Sequence, residues 1–408
     1  MFQVKSRPKV KPHATSATIY HMEFRQNTLD MHTSLSKADR QEQGIFMTPN
    51  TIRKRLWALL GPLLSRNPTI LEPSFGTGEF LQDINPALTV IGVEKNPKLF
   101  ASATANKKPK QTLHNADFLT FQCDPVDLVV GNPPYFVTED KDPACMKGRG
   151  NVFVQFIYKC LTQHLKPGGI LAFILPTSFY NCAYYDPCRK YIRDNTTVLH
   201  MENLAEAEFY DTAQNTMIMI VRNTPCVDAD KPYFLYDPPT TLSPFYKELK
   251  ELRQGTTTLS AMGFQVKTGD VVWNQHKEKL VAAESKDAVL VLYSGNIVDN
   301  EIVLNQTKGD KKQYIKGFPR PPMTGPAILV ARGYGNTAYN LSFAYVGPET
   351  TFYGENHVNV ITGPAAEFPR VVASLQSDNT RTFLSMYVGN GALSKTELHT
   401  VLPIWGGT

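Results

Sequence analysis

Apolar runs and segments of helical periodicity alternate through the first half of the chain. Short apolar runs bounded by turn residues predict buried strands, and apolar residues three or four positions apart predict helices that pack on a sheet. The predicted strands cover residues 69–72, 88–94, 127–130, 170–176 and 216–221. One helix is predicted from Pro49 to Leu63, with Thr48 as its N-cap, and another from Asn151 to Leu165. This alternation predicts one parallel, doubly wound α/β sheet.

The composition of the chain changes near residues 223–239, where Asn, Asp and Pro accumulate. Beyond this segment the predicted strands are shorter, and Gly and Pro are frequent. A chain of 408 residues also exceeds the usual size of a single hydrophobic core. We therefore expect a basic, flexible arm over residues 1–43, an α/β domain over residues 44–235 and a mixed α+β domain over residues 236–408.

The net charge of +5 permits a polyanionic partner but does not require one. Four basic residues near the N-terminus lack acidic neighbours, which fits either a solvated tail or an arm that contacts phosphates. Basic and aromatic side chains are mixed between residues 308 and 334, a combination that suits a nucleic-acid groove or a basic solvated loop. The candidate DNA contacts in this segment are Lys316, Arg320 and Arg332.

The six cysteines form no Cys-x-x-Cys pair, and no histidine cluster accompanies them. Their spacing predicts neither a metal site nor a disulfide framework, and it favours a reducing compartment. No apolar run is long enough to span a bilayer, and the N-terminus has no apolar segment typical of a secretory signal. We therefore expect a cytoplasmic protein that binds neither a metal ion nor a membrane.

The segment Thr69–Leu81 combines a short apolar run, a glycine-bearing turn and the start of a helix. Open α/β sheets bind nucleotide-like ligands at such a turn, and Gly76 and Gly78 allow a ligand to approach the backbone closely. The segment lacks the third glycine of a dinucleotide fingerprint and the Gly-Lys-Ser/Thr of a phosphate-binding loop. With Glu72 at the strand end, it suits a ligand with a cationic amino-acid group better than one with a pyrophosphate.

Acidic residues also follow the next two predicted units. Glu94 ends the second strand, where its two oxygens can accept from ribose hydroxyls, although a strand-end acid is more often a solvated surface group. Asp117 can accept from an adenine amino group while Phe118 packs against the ring. A turn aspartate followed by a core phenylalanine fits this pair equally well.

The sequence Asn132-Pro133-Pro134-Tyr135 follows the apolar strand that ends at Val130. The two prolines fix φ, remove two backbone donors and keep the segment extended. The Asn132 amide oxygen and the Pro133 carbonyl offer two acceptors, and the Tyr135 ring offers a face. These groups suit a planar ligand group that carries an exocyclic NH₂, while a loop stiffened by prolines is the alternative.

The order of these motifs resembles that of TaqI-like, gamma-class adenine-N6 DNA methyltransferases, which use S-adenosylmethionine. The resemblance is strongest over residues 44–222. The segment Gly44–Pro49 is similar to the Gly-x-x-x-Thr-Pro element that helps to close over the cofactor in this family. Segments near residues 266–277 and 393–404 are similar to recognition domains of such enzymes from restriction–modification systems.

The resemblance implies a Rossmann-like methyltransferase domain over residues 44–235 and a DNA-recognition domain over residues 236–408. The implied catalytic residues are Asn132, Pro133, Pro134 and Tyr135. The implied S-adenosylmethionine contacts are Thr48, Glu72, Ser74, Gly76, Gly78, Glu94, Asp117, Phe118 and Asn132. Tyr135 and Phe209 are implied to stack on an adenine flipped out of the duplex, with Tyr210 as the alternative to Phe209.

The implied partners are double-stranded DNA and a separate cognate restriction endonuclease. The expected protein is a monomer, nucleoid-associated if its host is prokaryotic.

Three alternative interpretations of the sequence compete with this one. The same motif could bind another planar NH₂ group, on an RNA base or a protein glutamine. The chain could also be a non-catalytic DNA-binding protein on the same fold. A fused restriction–methylation enzyme is disfavoured because residues 1–43 contain no convincing cluster of metal-binding carboxylates.

Overall fold

The structure is a computed structural model, and it describes residues 23–140, 142–204, 215–235, 239–305, 309–333, 341–389 and 392–406. These residues form two compact units. The first unit lies within Met1–Pro176 and Ala183–Lys231, and the second lies within Thr177–Cys182 and Pro232–Thr408. The sequence places the domain boundary between residues 235 and 236, a few residues after this division.

In the described part of the chain, the first unit is built on a seven-stranded sheet with the strand order β3-β2-β1-β4-β7-β9-β8. Strands β5 and β6 form a separate antiparallel pair. The nine strands are β1 (Ile70–Glu72), β2 (Val90–Glu94), β3 (Gln111–Asn115), β4 (Val126–Gly131), β5 (Val137–Thr138), β6 (Gly150–Asn151), β7 (Leu165–Pro176), β8 (Thr197–Asn203) and β9 (Thr216–Arg222). The strand order reverses between β1 and β4, which confirms the predicted doubly wound α/β fold.

Helices cover both faces of this sheet. They are α1 (Gln26–Ser34), α2 (Lys37–Glu42), α3 (Asn50–Leu60), α4 (Glu79–Asp83), α5 (Pro97–Thr104), α6 (Val152–Lys159) and α7 (Asp186–Asn195). Leu128 and Val130 of β4 share a core cluster with Ile52 and Leu56 of α3. Val129 points to the opposite face and is also fully buried, as expected for a strand covered on both sides.

The direction of the last apolar strand differs from the prediction. Strands β1, β2, β3, β4 and β7 pair in parallel, but β9 is antiparallel to both β7 and β8. The sheet is therefore mixed rather than wholly parallel. A continuous apolar run is buried equally well in either direction, so its sequence predicts a strand but not the strand's direction.

The start of α3 also differs from the prediction. The helix begins at Asn50, and Pro49 occupies the N-cap position without a side-chain hydrogen bond. Thr48 is therefore not the cap. Its buried carbonyl accepts from the Arg53 guanidinium at 2.6 Å, and its hydroxyl oxygen accepts from the Asn132 amide at 3.1 Å. The local pattern favours a cap because the distant Asn132 cannot be recognised from neighbouring residues.

The predicted flexible arm over residues 1–43 is wrong for residues 26–42, which form α1 and α2. Thr28 of α1 is buried and its hydroxyl donates to Oε1 of Glu79 at 2.6 Å. This polar contact joins residues far apart in sequence, so the weakly apolar composition of α1 gives no sign of it. The four basic residues near the N-terminus lie outside the described residues, and they are Lys5, Arg7, Lys9 and Lys11.

The second unit is a mixed α+β fold, as predicted. In the described residues it contains a four-stranded sheet of order β10-β20-β17-β18, a five-stranded sheet of order β11-β15-β12-β19-β16, and the pair β13-β14. The strands are β10 (Gln265–Thr268), β11 (Leu280–Val281), β12 (Ala288–Leu292), β13 (Ile297–Val298), β14 (Glu301–Ile302), β15 (Tyr314–Lys316), β16 (Met323–Thr324), β17 (Ala327–Ala331), β18 (Phe343–Val346), β19 (Thr351–Gly354) and β20 (Val358–Thr362).

Four described helices complete the second unit, namely α8 (Tyr246–Leu252), α9 (Phe368–Gln376), α10 (Asp378–Tyr387) and α11 (Lys395–Thr400). Their apolar faces share one core with the four-stranded sheet, in which Phe264, Ile361 and Phe383 are fully buried. Across both units, no helix within the described ranges is long and apolar enough to cross a membrane.

Candidate cofactor and substrate site

A cavity of about 720 Å³ lies in the first unit beside the carboxyl ends of β1, β2 and β4. Open α/β sheets bind ligands at this edge, and the volume is typical of a small-molecule site. The predicted site residues that line the cavity are Thr48, Glu72, Ser74, Gly76, Glu94, Asp117, Phe118, Asn132 and Pro134. Gly78, Pro133 and Tyr135 are not among the lining residues.

Glu72 is a buried carboxyl group at the end of β1, and its Oε2 has no hydrogen-bond partner among the described residues. Burial raises the pKa of Glu72 well above its usual range, and the nearby Asp83 and Glu94 carboxylates raise it further. The Arg53 guanidinium lowers this pKa but does not cancel the rise. A buried acceptor without a donor costs free energy, so a cationic group in the cavity would find a ready partner here.

Glu94 holds the glycine turn in place. Its Oε2 accepts from the Gly76 N–H at 2.8 Å, and its Oε1 accepts from the Asn96 N–H at 2.7 Å. Burial raises the pKa of Glu94, while these N–H donors lower it. Gly76 has a φ of +57°, and a Cβ there would contact nothing within 4 Å. A ligand in the cavity can therefore approach the Gly76 backbone closely. Gly78 instead packs against Ala103 of α5.

Asp117 anchors the loop that follows β3. Its Oδ1 accepts from the Leu119 N–H at 2.9 Å, and its Oδ2 lies 2.9 Å from the Lys95 ammonium. Partial burial raises the pKa of Asp117, but the hydrogen bonds from Lys95 and Leu119 outweigh it and lower the pKa overall. The carboxylate is therefore ionised and can accept a further donor from the cavity.

Phe118 is buried beneath this loop, and Lys159 of α6 contacts both the loop and the Phe118 ring. The Lys159 ammonium donates to the carbonyls of Leu119 and Phe121 at 2.8 and 2.7 Å, and it lies 5.3 Å from the centre of the Phe118 ring. Lys159 was not predicted from the sequence. The available signal was a lysine at the end of a largely apolar helix, because a lysine side chain is rarely buried without partners.

Asn132 lies just beyond β4 with its carboxamide oriented by three contacts. Its Nδ2 donates to the Phe46 carbonyl at 3.3 Å and to the Thr48 hydroxyl oxygen at 3.1 Å. Its Oδ1 accepts from the Tyr135 hydroxyl. The Ser74 hydroxyl also donates to the Asn132 main-chain carbonyl at 3.3 Å, which links the glycine turn to this segment.

The Tyr135 ring is buried rather than exposed to the cavity. One face lies against Phe46, with ring centres 5.9 Å apart and planes inclined by 26°, and Phe153 meets the ring edge-on. The hydroxyl donates to the Ile174 carbonyl at 2.7 Å. Phe46 and Phe136 are the aromatic side chains that line the cavity near this segment, and neither was predicted from the sequence as a site residue.

Gly44 lets the N-terminal segment pass directly over this site. It has a φ of +64°, and a Cβ there would lie 2.6 Å from the Tyr135 nitrogen and 3.1 Å from the Phe136 ring. Glycine is therefore required at this position for both conformation and space. The close approach brings Phe46 onto Tyr135 and Thr48 onto Asn132.

The region before Gly44 also belongs to the site. The Arg25 guanidinium lies 3.2 Å from Oε2 of Glu79, and the Gln43 side chain accepts from Asn96 at 2.8 Å. Glu42 and Gln43 line the cavity. Their polar side chains resemble those of a solvated tail, so the sequence offers no signal for this role.

The predicted DNA contacts lie in the second unit. Lys316 and Arg332 are exposed, and the Arg332 guanidinium donates to the Asn356 carbonyl at 3.1 Å. Arg320 is exposed and pairs with Asp270. Phe209 and Tyr210, the two candidates for a second stacking residue, lie outside the described residues.

Residues 70–210 match the family of the Eco57I restriction-modification methylase. The chain is 30% identical over 391 residues to the modification methylase CviBIII of Paramecium bursaria Chlorella virus NC1A, with 93% of this chain and 98% of that protein covered. It is 28% identical to the type II methyltransferase M.CvrRI of Paramecium bursaria Chlorella virus XZ-6E, with 94% and 99% covered.

Solved structures also resemble part of the chain. A putative class I S-adenosylmethionine-dependent methyltransferase from Listeria monocytogenes aligns with a TM-score of 0.42 at 24% identity, covering 50% of this chain and 67% of that one.

Proposed function

The chain belongs to the type II DNA methyltransferases of restriction–modification systems, and from this premise we propose that it methylates the N6 amino group of an adenine flipped out of duplex DNA. S-adenosylmethionine is the cofactor. The observation that carries the proposal is that Asn132 and Glu72 line one cavity, each with an oxygen acceptor suited to a different ligand. The product would protect DNA from a cognate restriction endonuclease.

The cavity residues fit S-adenosylmethionine. The unpaired Oε2 of Glu72 is a partner for the cationic ammonium of the methionine end. Glu94 has both oxygens engaged by backbone N–H groups but retains acceptor capacity for ribose hydroxyls. Asp117 and Phe118, fixed by Lys95 and Lys159, would hold the adenine ring of the cofactor.

The Asn132-Pro133-Pro134-Tyr135 segment would hold the target amino group. The Asn132 Oδ1 and the Pro133 carbonyl would accept from its two N–H groups, and Pro134 has no N–H that could compete for the Pro133 carbonyl. Two acceptors draw the nitrogen from planar toward tetrahedral geometry and localise its lone pair. Because Nδ2 of Asn132 is held by Phe46 and Thr48, the amide oxygen has a fixed direction before substrate binds.

When bound, S-adenosylmethionine would supply an electrophilic sulfonium methyl group. The amino nitrogen would gain the N–C bond, the C–S bonding electrons would stay on sulfur, and the surplus amino proton would pass to solvent. The protein itself needs no nucleophile for this reaction. Asn132 and Pro133 would orient the amino group and stabilise its developing positive charge.

A duplex hides the adenine amino group, so the base must leave the stack at a cost of a few kcal/mol. Stacking on an aromatic side chain offsets about 1–3 kcal/mol of this cost. Tyr135 and Phe209 are the proposed stacking residues, with Tyr210 as the alternative. One face of the Tyr135 ring lies against Phe46, so a base that stacks on that face would displace Phe46.

The second unit is proposed to recognise the DNA sequence. Its exposed Lys316 and Arg332 are suited to phosphate or base contacts, and Arg320 less so because Asp270 already balances its charge. The catalytic cavity lies wholly in the first unit. Cofactor binding and sequence recognition would therefore be separable by mutation.

Product analysis tests the proposal directly. The protein is incubated with methyl-labelled S-adenosylmethionine and, separately, with duplex DNA, RNA or a glutamine-bearing protein substrate. The DNA is then digested to nucleosides. We expect the label in N6-methyladenine and in DNA alone. Label in N4-methylcytosine would contradict the proposed base, and label only in RNA or protein would contradict the proposed substrate.

A further inference from the structure

The Tyr135 hydroxyl contacts two carbonyl oxygens at once. It lies 2.7 Å from the Ile174 carbonyl of β7 and also contacts Oδ1 of Asn132. A phenol has one proton to donate, so it can satisfy one of these acceptors fully at a time. Burial raises the pKa of Tyr135 well above its usual range, which means that the phenol keeps this proton at any pH used for an assay.

The contact with Asn132 involves the oxygen that is proposed to bind the target amino group. The proposed function requires Asn132 Oδ1 to accept from the target amino group, yet without substrate this oxygen already has a donor in Tyr135. The other end of the carboxamide is fixed by Phe46 and Thr48. The amide is thus held at both ends, and only the Tyr135 end has an alternative acceptor nearby.

We propose that the Tyr135 hydroxyl is a positioning group that occupies the Asn132 oxygen before the target base arrives and then donates to the Ile174 carbonyl alone. The hydroxyl keeps its proton throughout, and no bond other than hydrogen bonds is made or broken. This inference rests on the proposed function, because it assigns a role toward the same amino group.

The exchange has a physical advantage. An acceptor buried near a cavity without a donor is destabilising, and so is a hydroxyl that is left without any acceptor. The Ile174 carbonyl removes the second penalty when the amino group takes over the Asn132 oxygen. The carboxamide therefore keeps the same orientation before and after the base binds, without the free-energy cost of an unpaired polar group.

Tyr135→Phe distinguishes a role of the Tyr135 hydroxyl from a role of the Tyr135 ring. The ring contacts Phe46 and Phe153, and phenylalanine would preserve both contacts. If Tyr135 acts only by stacking or packing, Tyr135→Phe changes little. If the hydroxyl occupies the Asn132 oxygen before the base arrives, Tyr135→Phe leaves that oxygen without this donor in the free protein. The target amino group then gains a bond there instead of replacing one, so the preference for binding adenine over purine rises while cofactor affinity stays at the wild-type value.

The experiment measures two quantities for Tyr135→Phe in this chain. These are the preference for binding a duplex with adenine at the target position over one with purine, which lacks the amino group, and the calorimetric affinity for S-adenosylmethionine. We expect the preference to rise about three- to tenfold, the usual effect of one hydrogen bond, with cofactor affinity unchanged. Tyr185→Phe is the matched control, because Tyr185 is also buried and also meets Phe153 edge-on.

An unchanged or lower preference for adenine over purine in Tyr135→Phe would overturn the inference. A second measurement uses the unmodified protein and so does not depend on the variant's folding. A duplex with purine in place of the target adenine lacks the amino group. Because the amino group exchanges one donor for another at the Asn132 oxygen and adds only its bond to the Pro133 carbonyl, we expect both duplexes to bind within about tenfold of each other.

A preference of about thirtyfold or more for adenine over purine would show that the Asn132 oxygen gains a new donor rather than exchanging one, and would overturn the inference. Failure of the proposed function gives a different result. In that case the wild-type protein forms no N6-methyladenine at all, before any variant is compared.

Discussion

Glu72 is the residue at which stability and function oppose each other most clearly. Its buried carboxyl group has an oxygen without a partner, and burial raises its pKa. A carboxyl group whose pKa is higher in the folded than in the unfolded protein makes folding less favourable as pH rises from the unfolded toward the folded pKa. The cofactor-free protein therefore carries an unfavourable charge here at alkaline pH.

We expect Glu72→Gln to raise the melting temperature of the cofactor-free protein at pH 8 and above, and to leave it nearly unchanged at pH 5. The same change should weaken S-adenosylmethionine binding about tenfold or more, because it removes a charge-assisted hydrogen bond. Thermal unfolding across pH and calorimetry measure the two effects. Unchanged cofactor affinity would exclude Glu72 from the site.

At the scale of single residues, the sequence identified strand-end groups well. Glu72, Glu94 and Asn132 follow successive strands, and parallel strands bring their carboxyl ends to one edge. The sequence did not identify Thr28 or Lys159, because each acts through hydrogen bonds to distant backbone or side-chain groups. Such contacts leave no periodic pattern in the chain.

The stretch that contacts the Asn132–Tyr135 segment most directly runs from Gly44 to Thr48 and carries Phe46 and Thr48 to Tyr135 and Asn132. Its position depends on Gly44, whose missing side chain allows backbone to approach backbone. A methyl group there would push the stretch away from the segment it orients.

We expect Gly44→Ala to lower kcat at least tenfold and to destabilise the protein by about 1–3 kcal/mol, since it combines a clash with a left-handed φ. Gly61→Ala is the matched control, because a Cβ at Gly61 meets nothing within 4 Å and its φ of −47° suits alanine. Thermal unfolding and single-turnover kinetics measure both. Equal behaviour of the two variants would contradict the role assigned to Gly44.

At the scale of elements, the pattern of apolar residues predicted the strands β1, β2, β4, β7 and β9 and the helices α3 and α6, but not the direction of every strand or the ends of the helices. The apolar run of β9 predicts a strand, but such a run is buried equally well in either direction and does not show that β9 is antiparallel to β7 and β8. A flexible arm is predicted for residues 26–42 because the contacts of Thr28 in α1 and of the preceding Arg25 with Glu79 are polar and join residues distant in sequence.

At the scale of the whole molecule, the chain divides into two units that are not contiguous in sequence. The segment Thr177–Cys182 follows β7 directly but belongs to the second unit. There the Tyr180 carbonyl accepts from the Leu242 N–H at 2.9 Å, and Asn181 donates to Glu397 at 2.5 Å. The sequence could not show this excursion, because nothing in the composition marks it.

If the second unit binds DNA through its exposed basic groups, their removal should change the salt dependence of binding. We expect Lys316→Gln and Arg332→Gln each to reduce the slope of log affinity against log salt by about 1 for every ion pair with a phosphate that the substitution removes. Arg320→Gln should have a smaller effect because Asp270 already neutralises Arg320. Lys247→Gln, an exposed lysine of α8 outside the basic segment, is the control.

Unchanged slopes in all of these variants would place the DNA-binding surface elsewhere in the molecule. Cofactor affinity should be unaffected in each, because the cavity lies in the first unit. A parallel loss of cofactor binding would therefore indicate that a variant had disturbed the fold rather than the binding of DNA.

The most direct test of the proposed mechanism is the rate of methyl transfer to adenine N6 by Asn132→Ala in a single turnover. The change removes the amide oxygen that orients the amino group and leaves the prolines and Tyr135 in place. We expect the rate to fall at least a hundredfold, while cofactor affinity falls little and duplex binding, which depends on phosphate contacts, remains at wild-type strength. A near-normal rate in Asn132→Ala would mean that the Asn132–Tyr135 segment is not the active site.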